Sequence, residues 1–283
     1  MRFASFHHRG REAFGVVTGD RVVDLTTPEI RTLREALEVW GIQGLRERGA
    51  VATAPGLPVA DLHWLPPITH PDKTLCVGLN FFEHAKEAKM AIPAKPSLFA
   101  RFAGSQVGHL APVVRPRASH QFDYEAELAV VIGQRARHVA EDRAEDVIAG
   151  YTCFAENSVR DWQKHATQAT PGKNFHASGA VGPWIVTPDE AGPVAGMDVI
   201  GRLNGRELQR DSAANMIFSV PQVIAYVSTF TELLPGDVLV LGTPAGVGFT
   251  RTPPIWLVPG DTFEVEITGV GTLRNTVIDE TEP

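Results

Sequence analysis

The sequence lacks the features that mark secreted, membrane-spanning or nucleic-acid-binding proteins. Its 283 residues include only two cysteines, too few for a disulfide framework. No basic-then-apolar leader opens the chain, and no apolar run approaches the roughly 18–20 residues that a membrane span requires. The formal net charge of −7 would repel nucleic acid and anionic membranes. We therefore predict a cytoplasmic protein whose partners include neither nucleic acid nor membrane.

The composition is that of an ordinary globular protein, with 43% hydrophobic and 21% charged residues. The first 25 residues predict short strands, with a hairpin at Gly19-Asp20, and residues 30–48 show helical spacing. A passage rich in proline and alanine, residues 54–67, then indicates a linker. We predict a small N-terminal domain over residues 1–68 and a larger domain over residues 69–283.

The larger domain is predicted to be mostly β. Short apolar runs separated by Gly and Pro turns predict its strands: TLCVGL, YEAELAVVIG, AVGPWIV, DVLVLG and TFEVEITG. One helix is marked by the capping box from Ser219 to Gln222. A doubly wound nucleotide-binding fold would need regular alternation of strands and helices, which is absent. The predicted fold class is α+β, mostly β, with a compact roll or barrel-like body.

Closely spaced carboxylates are the first candidate site. On a strand, Glu125 and Glu127 point to the same face, and Asp123 joins them if the strand begins that early. Carboxylates this close repel one another unless a cation lies between them, and oxygen ligands favour Mg²⁺, Mn²⁺ or Ca²⁺ over zinc. Taken alone, the pattern also fits the polar face of a half-exposed strand.

Four further segments carry polar groups of chemical interest. Glu156 could complete a set of three carboxylates, and Arg160 and Gln163 lie one helical turn apart, where both could meet an anion. His84 and Glu87 have the i, i+3 spacing at which a carboxylate raises imidazole basicity. The remaining two candidates are Thr243, in a glycine-rich strand end that is not a Walker loop, and Lys173, beside an aromatic run. Each has an ordinary structural explanation when it is considered alone.

Six motifs in order along residues 74–277 resemble the fumarylacetoacetate hydrolase superfamily, in its branch of acylpyruvate hydrolases and 2-hydroxyhepta-2,4-diene-1,7-dioate isomerases. They are CVGLNFFEHAKE, FDYEAELAVVIG, GYTCFAENSVRDWQ, GKNF followed by GPW, NGRELQ, and LLPGDVLVLGTPAGVG. The resemblance implies a mixed β-roll catalytic domain behind a small N-terminal accessory domain, and a homodimer.

The resemblance also implies a role for each candidate. Mg²⁺ or Mn²⁺ would be held by Glu125, Glu127 and Glu156, and would chelate the carboxylate and 2-keto oxygens of a small 2-keto or diketo acid. Arg160, Gln163 and Thr243 would bind the substrate carboxylate. Lys173 would support developing negative charge, and His84 with Glu87 would activate water in a segment that closes as a lid. The sequence departs from the family pattern at Glu156, where Asp is usual, and at Arg101, where Lys is common.

The activity that the resemblance implies is hydrolysis of a C–C bond in an acylpyruvate-type diketo acid of aromatic catabolism. The pair that activates water favours this reaction. The alternative uses the same metal site without water, in decarboxylation of an oxaloacetate-like acid or isomerisation of a hydroxymuconate-like acid. A catalytically idle scaffold is disfavoured, because acid, base and cation positions are all filled.

Overall fold

Strands dominate the structure, a computed structural model in which residues 1–281 are described. In chain order the strands are β1 (Arg2–His8), β2 (Arg11–Thr18), β3 (Arg21–Asp24), β4 (Leu57–Pro58), β5 (His63–Trp64), β6 (Thr74–Gly78), β7 (Ser97–Ala100), β8 (Gln106–Val107), β9 (Val113–Arg115), β10 (Phe122–Asp123), β11 (Ala126–Ile132), β12 (Ile148–Ala155), β13 (Ser158–Val159), β14 (Gly179–Val186), β15 (Asp198–Leu203), β16 (Arg206–Ser212), β17 (Val238–Val240), β18 (Thr262–Ile267) and β19 (Gly271–Asp279).

The α-helices are few and mostly short: α1 (Leu33–Ala50), α2 (Phe82–Glu87), α3 (Arg160–Gln163), α4 (Thr170–Lys173), α5 (Pro188–Ala191) and α6 (Val220–Phe230). Short 3₁₀ segments lie at Val59–Asp61, Ala103–Ser105, Glu141–Val147, Val194–Gly196, Ala213–Asn215 and Gly248–Thr250. The predicted class, α+β and mostly β, is confirmed. None of the helices in residues 1–281 is long and apolar enough to cross a membrane.

The largest sheet places its most apolar strands at its centre. Its order is β4-β3-β2-β1-β14-β12-β11-β17-β6-β7, with β5 paired to β1 and β8 to β14. Every residue of β11 and β12 is buried. Part of each strand packs in one core with helix α6 and a second sheet of order β16-β15-β18-β19-β9, and the rest packs in another core with α1 and the N-terminal strands. Strands covered on both faces have no polar side to alternate with, which explains their nearly continuous apolar sequence.

The N-terminal strands are part of this sheet. Strand β1 pairs with β14, placing Arg2 opposite Val186, and β5 pairs with β1. Residues on both sides of position 68 therefore contribute to one sheet, while the division into two domains at that position stays a prediction. The hairpin predicted at Gly19-Asp20 joins β2 to β3.

The two longer helices begin where side-chain caps place their first turns. Thr32 caps α1 through a complete capping box with Glu35, so the helix starts at Leu33 and not at the predicted Ile30. Ser219 and Gln222 form the capping box predicted for α6, with both of its hydrogen bonds present. The strands predicted from apolar runs correspond to β6, β11, β14, β17 and β18.

Candidate metal centre

Three buried carboxylates meet where β11 begins and β12 ends. These strands are antiparallel, with Ala126 opposite Ala155. This pairing brings Glu156 next to Glu125 and Glu127, although it follows them by 31 and 29 positions in the sequence. Glu127 lies on β11, Glu125 directly precedes it, and Glu156 directly follows β12. One oxygen from each carboxylate lies within 4.8 Å of those of the other two, and all three residues are buried.

Two buried cations contact this cluster. Lys173 Nζ lies 3.1 and 3.2 Å from the two oxygens of Glu125 and 2.8 Å from Oε2 of Glu156. Arg160 Nη2 lies 2.9 Å from Oε1 of Glu125, in an ion pair without hydrogen-bond geometry. Ser158 donates a 2.5 Å hydrogen bond to the same oxygen of Glu125. The cluster thus has a cationic side formed by α3 and α4.

The protonation of the carboxylates follows from these contacts. Burial alone would raise the pKa of Glu125, but Arg160 and Lys173 outweigh it and hold that pKa at about 2. Burial raises the pKa of Glu127 well above its usual value, and the negative charges of Glu156 and Glu125 raise it further. Glu127 also accepts a 2.6 Å hydrogen bond from Gly242 N. A carboxylate in this position is stabilised as an anion when a cation joins the cluster.

The donor set fits a hard divalent cation. Glu156 Oε1 is buried and has no hydrogen-bond partner in the described part of the chain. Together with Asp123, which contacts Arg160, four buried carboxylates face two contacting cations. With all four carboxylates ionised, the group carries a net charge of −2, which one divalent ion would neutralise, and Glu127 is the carboxylate that neither cation contacts. Carboxylate oxygens are the ligands that Mg²⁺ and Mn²⁺ prefer.

Asp123 does not join the cluster as the sequence suggested it might. The strand is interrupted between β10 and β11, so the strict alternation that would align Asp123 with Glu125 does not hold. Its Oδ2 accepts a 2.7 Å hydrogen bond from Arg160 Nε, and Oδ1 accepts one of 2.7 Å from Gly248 N. Asp123 therefore fixes the guanidinium of Arg160 beside the cluster.

His84 and Glu87 lie on one turn of α2, as their spacing predicted. Nδ1 of His84 is 3.4 Å from Oε2 of Glu87. Glu87 also accepts hydrogen bonds from Gly246 N and from the hydroxyl of Thr250. Burial would raise the pKa of Glu87, but the bonds from His84, Gly246 and Thr250 outweigh it and lower that pKa. Glu87 is therefore an anion that orients the imidazole.

A cavity of about 710 Å³ brings the candidates together, a size typical of small-molecule sites. It is lined by eight of the nine residues predicted from the sequence: His84, Glu125, Glu127, Glu156, Arg160, Gln163, Lys173 and Thr243. Glu87 lies behind His84. Arg160 Nη1 donates to Gln163 Oε1 over 3.0 Å, so these two side chains meet as their spacing suggested. The roles of all nine residues stay predictions.

Gln209 is a structural partner that the sequence did not single out. It is buried, accepts a 3.0 Å hydrogen bond from Ala126 N, and donates to Thr243 Oγ1 over 2.8 Å. Thr243 in turn donates to Ala126 O over 2.9 Å. Gln209 therefore joins the loop after β17 to the start of β11, beside the first two carboxylates. Its position at the end of NGRELQ is the signal that could have found it.

Comparison with known proteins gives the family context of this geometry. Residues 73–278 match the family model described as fumarylacetoacetate (FAA) hydrolase, C-terminal. The chain is 39% identical over 267 residues to the human protein named oxaloacetate tautomerase FAHD2A, mitochondrial, covering 93% of this chain and 84% of that protein.

Two solved structures share the fold over nearly the whole chain. Fumarylacetoacetate hydrolase from Exiguobacterium antarcticum is 34% identical, with a TM-score of 0.87 over 99% of this chain and 100% of that chain. Maleylpyruvate hydrolase from Sphingobium sp. SYK-6, in complex with manganese(II) and pyruvate, is 26% identical, with a TM-score of 0.83 and the same coverage.

Proposed function

The chain belongs to the fumarylacetoacetate hydrolase family of enzymes, and from that premise we propose that it moves a proton on a small 2-oxo acid with a divalent metal ion. The proposed reaction is keto–enol tautomerisation, with oxaloacetate as the test substrate. The carboxylate cluster of Glu125, Glu127 and Glu156, open to the same cavity as His84, carries this proposal. The 39% identity to an oxaloacetate tautomerase supports it ahead of the hydrolysis expected from sequence.

The three glutamates are the groups we propose to hold the ion, Mg²⁺ or Mn²⁺. When bound, the ion would supply Lewis-acid polarisation of the 2-oxo oxygen, which makes the neighbouring C3–H more acidic. Lys173 lies against the same carboxylates, so its charge would favour negative charge that develops on the substrate oxygen. The manganese and pyruvate named for the maleylpyruvate hydrolase structure support both the ion and the substrate class.

His84 is the group we propose to move the proton at C3. Because Nδ1 faces the Glu87 carboxylate, we assign the proton of the neutral ring to Nδ1, which leaves Nε2 as the base. Glu87 is held by Gly246 and Thr250, so the imidazole keeps its orientation while it takes the proton from C3. Delivery of a proton to the 2-oxo oxygen completes the enol, and the reverse transfers restore the ketone. This arrangement requires no water as a reactant.

Hydrolysis of an acylpyruvate is the second candidate, and two observations favour it. The His84–Glu87 pair has the geometry of a base that activates water. The cavity of about 710 Å³ leaves space beyond a four-carbon acid for an acyl group. The two reactions share the carboxylate cluster and differ in whether water attacks a carbonyl carbon of the substrate.

The deciding experiment compares products from one preparation reconstituted with Mn²⁺. Enol oxaloacetate is followed by its ultraviolet absorbance, with free Mn²⁺ at the same concentration as the blank. An acylpyruvate is assayed in parallel for pyruvate and free carboxylic acid, and released CO₂ is measured from oxaloacetate. We expect rapid loss of the enol, abolished by Glu125→Gln and retained in Lys86→Gln, a change on the exposed side of α2. If the protein cleaves the acylpyruvate but tautomerises oxaloacetate no faster than the Mn²⁺ blank, tautomerisation is rejected in favour of hydrolysis.

Cytoplasmic location and a homodimer are further predictions from the sequence. The human relative is named as mitochondrial, which makes location worth testing by fractionation of the source cells. The oligomeric state is measured by sedimentation, with and without Mn²⁺.

A further inference from the structure

The cavity is lined by three cationic side chains, and two of them are already committed to carboxylates. Arg160 contacts Asp123 and Glu125, and Lys173 contacts Glu125 and Glu156. The third cation is Lys164, which directly follows α3 and lines the same cavity. Its ammonium group has no ion pair or hydrogen bond with any residue in 1–281.

The segment that carries Lys164 is held in place on both sides. The indole of Trp162 packs edge-on against Phe175, with ring centroids 5.1 Å apart, and lies 4.6 Å from the ring of His165. The backbone N–H of Lys164 donates to Asp161 O over 3.2 Å, and that of His165 donates to Trp162 O over 3.3 Å. The backbone of Lys164 is therefore part of an ordered turn, although its side chain is exposed.

Lys164 directly follows α3, at the opposite end of the helix from Arg160. The helix starts at Arg160, beside the cluster, and four residues of helix advance about 6 Å along its axis. A small 2-oxo acid whose head group lies at the cluster, and whose far end extends along α3 within this cavity, would reach Lys164. With a divalent ion bound, the buried charges balance, so a second substrate carboxylate would need a cation of its own.

We propose that Lys164 binds the distal carboxylate of the substrate and so selects dicarboxylic over monocarboxylic acids. This inference rests on the proposed function, because it assumes that the 2-oxo acid end lies at the carboxylate cluster. Lys164 is then a residue that sets specificity and takes no part in moving the proton. Its flexible stem and exposed ammonium also suit the capture of a dianion from solvent.

The test measures binding with two unreactive acids that differ at one end only. Malate and 2-hydroxybutanoate share a 2-hydroxy acid head, and the C4 carboxylate of the first is a methyl group in the second. Calorimetry on the Mn²⁺-loaded protein should show malate binding about fivefold more tightly, the effect of one exposed ion pair. Lys164→Met should abolish this preference, and Lys164→Arg should retain it. Lys86→Met, at an exposed lysine paired with Glu83 on α2, is the matched control and should leave the preference unchanged.

The test compares the ratio of the two affinities, so an effect of the substitution that weakens the binding of both acids equally does not change the result. Equal affinities in the parent protein, or a preference that survives Lys164→Met, would overturn the proposal. The protein could fail to tautomerise oxaloacetate and still show a preference for malate that depends on Lys164. That result would reject the proposed reaction and support the distal carboxylate site.

Discussion

Neutralising Glu127 should stabilise the protein when metal is removed and weaken the response to metal when it is added. Glu127 is 1% exposed, and one of its oxygens lies within 4.8 Å of one oxygen of Glu125 and one of Glu156. At that distance each pair of like charges repels by about 3 kcal/mol if the effective dielectric constant is about 20. Glu127→Gln removes this repulsion but keeps an oxygen that can accept the hydrogen bond from Gly242 N.

The net gain is smaller than the bare repulsion, because a proton on Glu127 already relieves part of it. We expect the variant to be about 1–2 kcal/mol more stable in excess chelator, which raises Tm by about 2–4 °C in a chain of this size. The gain should depend on pH. The pKa of Glu127 is raised in the folded state, so the folded protein binds more protons than the unfolded chain. The resulting contribution to folding stability is retained below the unfolded pKa and is lost as pH rises through the folded pKa. The advantage of the variant should therefore grow from pH 5 to pH 8.

Thermal unfolding of the parent and variant, each with chelator and with saturating Mn²⁺, tests both expectations: the higher stability of the variant without metal and its smaller response to metal. Mn²⁺ should raise Tm of the parent strongly and that of the variant much less, because stabilisation by a ligand follows its affinity for the folded state. Glu83→Gln, at an exposed carboxylate on α2, is the control and should behave as the parent. The assignment of Glu127 to a metal site would be refuted if the variant were less stable than the parent in chelator at pH 8 and if Mn²⁺ raised its Tm as much as that of the parent.

Three further predictions concern single side chains. Glu156→Asp should keep metal-dependent turnover, whereas Glu156→Ala should lower Mn²⁺ affinity in calorimetry; unchanged affinity would place the third ligand elsewhere. His84→Ala should slow turnover about 10²-fold while oxalate still binds, and an equal loss of both would contradict its role as a base. Burial, reinforced by Arg274, lowers the pKa of His109 to about 4, so up to about 3 kcal/mol of stability should be lost as pH falls from 6.5 to 4. Urea unfolding of His109→Phe should show a weaker loss over that range, and an unchanged loss would exclude His109 as the cause.

Local sequence patterns were sufficient to predict five strands of the larger domain and its longest helix. Apolar runs bounded by turns indicated β11 and β17, and a capping box placed the start of α6. Helix spacing also placed His84 beside Glu87 and Arg160 beside Gln163. These relationships depend on residues three or four positions apart, so the backbone geometry of a single element determines them.

Contacts between distant segments could not be derived from those patterns. The approach of Glu156 to Glu125 depends on the pairing of β11 with β12. The residues alone left it as one possibility, and the family resemblance was needed to select it. Nothing local revealed that Ser158 would bond to Glu125, or that Gln209 would join Thr243 to the start of β11. The small N-terminal strands gave no sign that β1 would pair with β14.

The glycine-rich loop after β17 shows how such long-range contacts form the site. Three of its backbone N–H groups donate to acidic side chains of the site: Gly242 N to Glu127, Gly246 N to Glu87, and Gly248 N to Asp123. Gly246 has φ +102°, and a Cβ there would lie 2.1 Å from Leu208 O. A side chain at Gly248 would meet Ile255 O at 1.9 Å. Glycine is required because the loop must pass between neighbouring backbones while its N–H groups face the carboxylates. One short loop thereby positions a proposed metal ligand, the partner of the proposed base, and the aspartate that fixes Arg160.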